Sequence, residues 1–410
     1  MNSTKLNSAA LKGSFIKEGD IVVHKFYNGK IILGRTFAPD GFCLYTDGDK
    51  ILAITSDSLP FDVEHNAEGK YISAGFVDIH VHGGFGYRFE NCAEDEMLII
   101  AQKHAEHGTT TMLPSISTMA LEGYVEMFER FKHLKASPQT RGAYLYGIHL
   151  ESPYFSSAQL GAQNSSLVRN FDKDEYTYLI KNYGEYIIRW SAAPELPGME
   201  DFARACRDAG ILMSIGHSDA EYDRVIEAFD LGFKCVTHLY SATSSVHRKN
   251  AFRYAGIVEA AYMLDDMDVE LIADGRHLPS SLLKFAVKFK GLDRIALVTD
   301  ATRYAGYPDG AEKIYGFTDA IIEDGVAKKP DRSCFSGSCA TTNLLVRNMM
   351  QLADIPLLDA VRLATVNPAR IASIPDRGIL REGAFADIII FDEDINVSYT
   401  MVNGETVFQA

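Results

Sequence analysis

GFVDIHVHGG, residues 75–84, places two histidines two positions apart at the end of an apolar run that stops at paired glycines. Side chains two apart in a strand point to the same side, so His80 and His82 would face one space together. Two metal ligands need this arrangement, whereas a lone histidine at a strand end is more often a hydrogen-bonded structural group. The stretch therefore leaves two interpretations, core histidines or half of a metal site, and the rest of the chain distinguishes them.

Downstream of this stretch, a unit of helix, glycine and apolar strand recurs. Instances are EDEMLIIAQKHAEHG with TTTMLPS, DFARACRDAG with ILMSIGHS, AEYDRVIEAFDLG with FKCVTHLY, and LLKFAVKFKG with RIALVTDA. In the first unit, Gly108 is expected to provide a left-handed helix cap. Strands that alternate with helices over roughly 300 residues indicate a parallel sheet, and this length favours an α/β fold of the (β/α)8 TIM-barrel type over an open sheet.

Both ends of the chain are rich in short strands. Asn28-Gly29 separates two apolar runs near the N-terminus and Asn403-Gly404 does the same near the C-terminus, and this dipeptide is a strong hairpin signal. The sequence thus predicts a small β-sandwich formed by the N- and C-terminal segments. The predicted boundaries are 1–72 for its N-terminal part, 73–378 for the barrel and 379–410 for its C-terminal part.

The composition restricts the possible partners and location. The 410 residues are 47% hydrophobic and 23% charged, with a formal net charge of −15 and no basic run, which argues against nucleic acid or a membrane surface as the main partner. Residues 1–20 lack the apolar stretch of a secretory signal, and no window approaches the ~18 apolar residues of a spanning helix. A cytoplasmic protein is expected. The six cysteines form no CxxC pair, so neither a disulfide framework nor a cysteine zinc site is indicated.

Polar residues suited to metal binding or proton transfer follow the predicted strands. They are His80, His82, Glu151, His217, His238 and Asp300. In a barrel the carboxyl ends of the strands meet at one mouth, so residues that are distant in sequence converge there. Four histidines and two carboxylates at strand ends are better explained by a metal site than by separate structural roles.

This ligand set predicts a reaction class. Imidazole and carboxylate without thiolate suit zinc, iron, manganese or cobalt. A divalent metal lowers the pKa of a bound water toward neutrality, and a nearby carboxylate such as Asp300 can accept the proton. Metal-assisted hydrolysis is therefore the predicted reaction. Four further histidines receive no catalytic role: His104, His107 and His133 are expected to face solvent, and His149 is expected to fill the barrel or to support a ligand.

The motifs GFVDIHVHGG, GTTTMLPS, GIHLESPY, AAPE, IGHS, THLY, ADGRH, LVTDA and ATVNPAR occur in this order between about residues 73 and 370. Together they resemble the amidohydrolase superfamily, and within it the branch that deacetylates amino-sugar 6-phosphates. The resemblance implies hydrolysis of the acetamide of N-acetylglucosamine 6-phosphate to glucosamine 6-phosphate and acetate by a homodimer. It also implies a divalent metal, one or two ions per subunit, with zinc as the first candidate.

By position, the resemblance assigns the primary metal to Glu151, His217 and His238, and the role of catalytic acid and base to Asp300. His80 and His82 match a pair that holds a second metal in some members, with Glu151 bridging. The residues assigned to the sugar phosphate are Gln163, Arg248 and His277, with the backbone amides of Ser241 and Ala242, and Arg253 as the alternative to Arg248. Departures from the family pattern, such as Ser152, Ser241 and the segment VHRKNAFRYAG, fall in the sugar and phosphate pocket.

Other functions stay open at this stage. An N-acetylgalactosamine-6-phosphate deacetylase would differ at a single hydroxyl configuration, which the sequence does not resolve. Amidohydrolases that act on cyclic amides or dipeptides commonly bridge two metals with a carboxylated lysine, where this chain has Glu151. A non-enzymatic scaffold would typically lose metal ligands, and here all the candidates are present.

Overall fold

The computed structural model describes residues 22–137 and 141–410. The stretch 1–20, on which the expectation about a secretory signal depends, and the first 21 residues of the predicted segment 1–72 lie outside these ranges. Within them, no helix combines the length and the apolar character needed to span a bilayer.

The strands, in chain order, are β1 (Val23–Tyr27), β2 (Lys30–Leu33), β3 (Thr36–Phe37), β4 (Cys43–Asp47), β5 (Lys50–Thr55), β6 (Val63–Asn66), β7 (Tyr71–Ala74), β8 (Phe76–Val81), β9 (Gly83–Gly84), β10 (Tyr87–Arg88), β11 (Thr109–Ile116), β12 (Tyr144–Leu145), β13 (Ile148–Glu151), β14 (Ile187–Ala192), β15 (Leu212–Ile215), β16 (Phe233–Val236), β17 (His247–Lys249), β18 (Phe252–Tyr254), β19 (Asp268–Leu271), β20 (Ile295–Leu297), β21 (Ile321–Glu323), β22 (Val326–Lys328), β23 (Phe335–Ser338), β24 (Ile388–Phe391), β25 (Val397–Val402) and β26 (Glu405–Gln409). The helices are α1 (Glu94–Ala105), α2 (Leu121–Lys135), α3 (Lys173–Tyr183), α4 (Met199–Asp208), α5 (Tyr222–Leu231), α6 (Ile257–Met263), α7 (Ser280–Lys290), α8 (Ala311–Tyr315), α9 (Thr342–Leu352), α10 (Leu357–Leu363) and α11 (Val366–Ile371).

A barrel of parallel strands forms the centre of the molecule. The strands pair in the order β8, β11, β13, β14, β15, β16, β19 and β20, and β12 is an early piece of the same strand as β13. The barrel closes where Val81 forms a parallel bridge with Ala301 and the Asp300 amide donates to the carbonyl oxygen of His80 at 2.9 Å. Helices α1 to α7 lie between successive barrel strands in the chain, so the predicted (β/α)8 fold is confirmed.

The recurring units of the sequence form as expected from their periodicity. In α4, apolar side chains spaced three and four apart form one buried face, which consists of Met199, Phe202, Ala203 and Cys206. Such a stripe packs a helix against the barrel. Gly232 ends α5 with φ 113° before β16 begins, and Gly108 has φ 87° immediately before β11. A left-handed residue is thus used where a helix turns back into a strand.

Both ends of the chain contribute to one small β-structure. Strand β7 lies between β24 and β2 in a sheet of order β26-β25-β24-β7-β2-β3, and a second sheet has the order β5-β4-β1-β6. Apolar side chains from both chain ends form a core separate from that of the barrel; they include Phe26, Ile31, Leu44, Ile72, Ile388, Ile390 and Met401. The predicted small β domain is present, while its boundaries stay a prediction.

The hairpin predicted at Asn28-Gly29 is wrong. Strand β1 pairs with β4 and β6, whereas β2 pairs with β3 and β7, so the two flanking strands belong to different sheets. A Cβ added at Gly29 would lie 2.7 Å from side-chain atoms of Ala67 and Ile72, so close packing between the sheets requires this glycine. The second predicted hairpin is confirmed, because β25 and β26 pair across Asn403-Gly404, with φ 50° and 79° at these two residues.

One of the three histidines expected to face solvent is buried instead. His104 lies on the inner face of α1 and donates from Nε2 to the carbonyl oxygen of Gly83 at 3.0 Å. Burial lowers its pKa to about 4. His107 follows the end of α1 and is half-buried, while His133 is exposed and lies beside Glu94.

Candidate metal centre

A cavity of about 820 Å³ opens at the carboxyl end of the barrel. Its floor is formed by residues at or just after the ends of barrel strands, among them His82, Glu151, His217, His238 and Asp300. The segment 328–337, which joins β22 to β23, lines another side of it. The cavity therefore lies where a barrel of this type places its active site.

The strand-end residues meet on a single carboxylate, that of Glu151. Its Oε1 atom lies 2.8 Å from Nε2 of His238, 3.1 Å from Nε2 of His217 and 3.5 Å from Nε2 of His80. Its Oε2 atom lies 3.2 Å from Nε2 of His82. The structure thus brings together side chains that are up to 158 positions apart in sequence (238 − 80).

These side chains form two potential ligand sets that share Glu151. The first set joins Glu151 to His217 and His238, the second set joins it to His80 and His82, and the donor atoms of each set lie within 4.8 Å of one another. All five side chains are buried. Imidazole nitrogens and a carboxylate oxygen are the donors of a catalytic zinc site, so the residues fit one or two divalent ions.

The electrostatics of the site favour ionised carboxylates. Burial would raise the pKa of Glu151, but the neighbouring histidines, His217 first, hold it well below its usual range. Burial would also raise the pKa of Asp300, and the neighbouring histidines lower it to about 2. Burial lowers the pKa of His80 to about 3, which keeps its imidazole neutral, the form that binds a metal.

Asp300 follows β20 and lies beside the second ligand set. Its Oδ1 atom is 3.3 Å from Nε2 of His82 and 3.5 Å from Nε2 of His80, and its side chain is 13% exposed to the cavity. Asp300, His217 and His238 all have left-handed backbone, with φ of 46°, 48° and 30°. Such strain in residues other than glycine clusters at functional sites, and no feature of the sequence indicated it.

Gln163 lines the cavity and contacts the shared carboxylate. Its Nε2 donates to Glu151 Oε2 at 2.8 Å, and its Oε1 accepts from the Thr118 amide at 3.0 Å. Gln163 was predicted to contact substrate, and in this structure it orients Glu151 from the cavity side.

Ser241, Ala242 and His277 also line the cavity, as a phosphate site would require. The Ser241 amide already donates to the carbonyl oxygen of His238 at 2.9 Å, whereas the Ala242 amide makes no hydrogen bond with any described residue. His277 Nδ1 lies 2.6 Å from Asp274 Oδ2. The imidazole of His277 is therefore fixed by a carboxylate at one nitrogen, which leaves Nε2 for a ligand.

Arg248 and Arg253 lie outside the cavity of their own chain. They face each other across the two strands β17 and β18, and both are exposed. Their predicted contact with phosphate would need another copy of the chain or a movement of this hairpin, and it stays a prediction.

Other cations line the cavity that the sequence did not single out: Arg88, Lys328, Lys329 and Arg332. Lys328 and Arg332 pair with Glu323. Arg88 and Lys329 form no ion pair within the ranges 22–137 and 141–410, and Lys329 Nζ donates to the carbonyl oxygen of Gly161 at 3.0 Å. The sequence carried one signal for Arg88, a lone basic residue six positions after His82 in the glycine-rich stretch GGFGYRF.

His149 fills the barrel rather than the cavity. Its Nδ1 and Nε2 atoms lie 2.9 Å from Ser115 Oγ and 2.7 Å from Ser191 Oγ, and its ring packs edge-on against that of His80. Of the two roles left open by the sequence, these contacts favour barrel filling.

Comparison with known proteins matches this geometry. The model of the Amidohydrolase family matches residues 71–407. The N-acetylglucosamine-6-phosphate deacetylase of Caenorhabditis elegans is 30% identical over 99% of this chain and 94% of its own length. The structure of the Pasteurella multocida N-acetylglucosamine-6-phosphate deacetylase superposes with a TM-score of 0.85 at 27% identity, covering 94% of this chain and 99% of the other. A Mycobacterium smegmatis N-acetyl-D-glucosamine-6-phosphate deacetylase variant, solved with N-acetyl-D-glucosamine-6-phosphate, gives a TM-score of 0.84 at 28% identity, covering 95% and 100%.

Proposed function

The chain belongs to the amidohydrolase family, and from this we propose that it hydrolyses the acetamide of N-acetylglucosamine 6-phosphate to glucosamine 6-phosphate and acetate. The observation that carries the proposal is the position of Glu151, a buried carboxylate shared by two sets of histidines at the floor of a cavity that also holds Asp300. The similar proteins named above support the choice of substrate, since each is a deacetylase of this sugar phosphate.

Glu151 with His217 and His238 would hold one divalent ion, and Glu151 with His80 and His82 a second. Zinc is the first candidate, and the same donors also suit iron, manganese or cobalt. When bound, the metal supplies Lewis acidity, which polarises the acetamide carbonyl and lowers the pKa of water.

Asp300 supplies the proton transfers. With its pKa lowered to about 2, its carboxylate is ionised at neutral pH and can accept a proton from the attacking water. As the C–N bond of the acetamide breaks, Asp300 returns this proton to the sugar nitrogen, so that glucosamine 6-phosphate and acetate leave. The position of Asp300 Oδ1, 3.3 Å from His82 Nε2, supports this role because it places the carboxylate beside the ligands.

The phosphate would lie against the hydrogen-bond donors and the cations that line the cavity. The Ala242 amide would donate to the phosphate, and Nε2 of His277 would also donate when its imidazole carries both protons, as the resemblance implies. Arg88 and Lys329 line the same cavity and form no ion pair with a carboxylate of the described residues. Guanidinium is a strong partner for phosphate because it can donate two parallel hydrogen bonds.

A homodimer and a cytoplasmic location are part of the same proposal. Apolar side chains exposed on α6 and α7, namely Met263, Phe285 and Phe289, support an interface between copies, since large exposed apolar residues in one region mark contact surfaces. Light scattering on the purified chain would give twice the mass of 45.4 kDa, and the monomer mass would contradict the dimer.

Acetate release from a panel of compounds, with metal content measured on the same sample, tests the function. We expect rapid release from N-acetylglucosamine 6-phosphate and slow release from unphosphorylated N-acetylglucosamine. Equal rates on both sugars would contradict the phosphate assignment, and a faster rate on N-acetylgalactosamine 6-phosphate would favour the galacto alternative. Hydrolysis of a cyclic amide or a dipeptide alone would indicate another amidohydrolase activity, and an inactive, metal-free protein would indicate a scaffold.

A further inference from the structure

We infer that Glu270 and Glu90 are positioning residues that hold His80 and His82 ready for a second metal ion, so that this chain is built for two ions. The inference rests on the metal centre of the proposed function but not on the identity of the substrate. It concerns two carboxylates behind the ligands, neither of which faces the reacting groups.

Glu270 lies on β19 inside the barrel and is fully buried. Its Oε2 atom lies 3.2 Å from Nδ1 of His80 and accepts from the backbone amide of His238, also at 3.2 Å. A contact between Nδ1 and a carboxylate assigns the proton to Nδ1, which leaves the lone pair on Nε2. The Nε2 atom of His80 points to Glu151 and to Nε2 of His82, 3.2 Å away, as a ligand of the second set would.

Arg189 is the charged partner of Glu270 inside the barrel. It forms an ion pair with Glu270 Oε1 and donates to Ser214 Oγ and Thr237 Oγ1, each at 2.9 Å. Because a buried carboxylate without a partner is more costly than one in a hydrogen-bonded ion pair, Arg189 offsets part of the cost of burying Glu270. If the pair served packing alone, the second oxygen of Glu270 would not need to contact both His80 and the amide of His238.

His82 has an equivalent support from a different element. Ser117 Oγ lies 3.2 Å from Nδ1 of His82 and donates to Glu90 Oε1 at 2.7 Å. Glu90 Oε1 itself lies 3.6 Å from Nδ1 of His82. Glu90 is buried. Thus both histidines of the second set have a buried carboxylate behind the ring nitrogen that faces away from Glu151.

The histidines of the first set lack this support. Nδ1 of His217 faces the carbonyl oxygen of Gln159 at 2.8 Å, and Nδ1 of His238 is buried without a hydrogen-bond partner in the part of the chain that the structure describes. A carboxylate behind the imidazole raises its basicity and fixes its orientation. We therefore expect the two carboxylates to control the affinity for the second ion and to leave the first ion nearly unaffected.

The test is zinc binding by the full chain carrying Glu270→Gln, stripped of metal and titrated with zinc alone. The expected result is one ion bound as in the unmodified chain and the second bound tenfold to a hundredfold more weakly, the usual effect of removing such a partner. His80→Gln should show the same loss of the second ion. Asp268→Asn is the matched control, because Asp268 lies on the same strand and pairs with Arg370 rather than with a histidine; it should bind two ions.

A second pair of variants separates misfolding from lost positioning. Glu270→Gln leaves Arg189 buried without its carboxylate, so the double variant Arg189→Met with Glu270→Gln removes both charges and should show the same selective loss. Glu90→Gln tests the His82 side independently. An unmodified chain that binds a single ion, or a folded Glu270→Gln chain that binds two with unchanged affinity, would overturn the inference. A chain that binds two ions but releases no acetate would instead refute the proposed function.

Discussion

At the scale of single residues, the proposed phosphate contact depends on Arg88 and Lys329, two cations of the cavity that form no ion pair within the described residues. We expect Arg88→Ala to raise KM for N-acetylglucosamine 6-phosphate about tenfold to a hundredfold, because a hydrogen bond to a charged donor contributes about 1.5–3 kcal/mol. The turnover number should change less, since Arg88 lines the cavity apart from the two ligand sets. Steady-state kinetics on the 6-phosphate measure both constants.

Arg248→Ala is the comparison for this prediction. Arg248 is exposed on the hairpin of β17 and β18 and does not line the cavity of its own chain. If only the Arg248 variant raised KM, the phosphate would be held by this hairpin, either that of another copy or that of the same chain after a movement, and the role given to Arg88 would be wrong.

His104 predicts a pH dependence of stability. Its pKa is lowered by burial from 6.5 to about 4 in the folded chain, so the unfolded chain binds the extra proton first and stability falls as the pH drops below 6.5. Between pH 7 and pH 5 the free energy of unfolding should fall by about 2 kcal/mol more in the unmodified chain than in His104→Gln. Denaturant unfolding at both pH values measures this difference, and parallel losses in the two proteins would show that His104 does not contribute.

At the scale of elements, the two short strands after His82 leave no room for a side chain. A Cβ added at Gly83 would lie 2.1 Å from the backbone carbonyl oxygen of Tyr87 on the paired strand β10. We expect Gly83→Ala to separate β9 from β10, to lower the free energy of unfolding by about 1–3 kcal/mol as overpacking does, and to reduce zinc content by displacing His82. Thermal unfolding and metal analysis check both effects.

Gly123→Ala is the matched control. Gly123 lies within α2, and its added Cβ would meet only side-chain atoms of Met119 at ordinary contact distance, 3.4 Å or more. Alanine in a helix is more favourable than glycine by about 0.5–1 kcal/mol. This variant should unfold at the same or a higher temperature, and a Gly83→Ala chain that behaved like it would refute the packing argument.

Local patterns in the sequence predicted where helices and strands form better than they predicted which strands pair with each other. The helix and strand units around β15, β16 and β20 follow from their periodicity, but the Asn28-Gly29 signal does not say which strands pair, and β1 and β2 enter different sheets. His104 continues the buried row of Met97, Ile100 and Ala101 on α1. Its burial could therefore have been predicted from the three- and four-residue spacing of the apolar positions in α1.

At the scale of the whole molecule, the barrel explains why the ligands could be found from sequence. Glu151, His217 and His238 each lie at or just after the end of a barrel strand, and the closed sheet brings these strand ends to one mouth. Glu270 and Arg189 lie within strands, where their side chains point into the barrel interior. A charged residue inside an apolar strand signals an unusual contact, but only the folded barrel shows that Glu270 contacts His80.

The role proposed for Arg88 was not predicted from the sequence for a similar reason. The direction of the Arg88 side chain depends on the pairing of β9 with β10, which turns the chain back toward the cavity. The strained backbone at Asp300 likewise has no signature in the residue types around it. Sequence therefore predicted the residues that follow strands and missed those whose neighbours come from distant parts of the barrel.

The most direct test of the proposed chemistry is acetate release by Asp300→Asn, with zinc content measured on the same protein. Asparagine preserves the shape of the side chain but cannot accept the proton of the attacking water. We predict that this variant binds as much zinc as the unmodified chain and releases acetate from N-acetylglucosamine 6-phosphate at least about a hundredfold more slowly, the range expected for loss of a general base. Unchanged acetate release by the zinc-loaded variant would contradict the central claim.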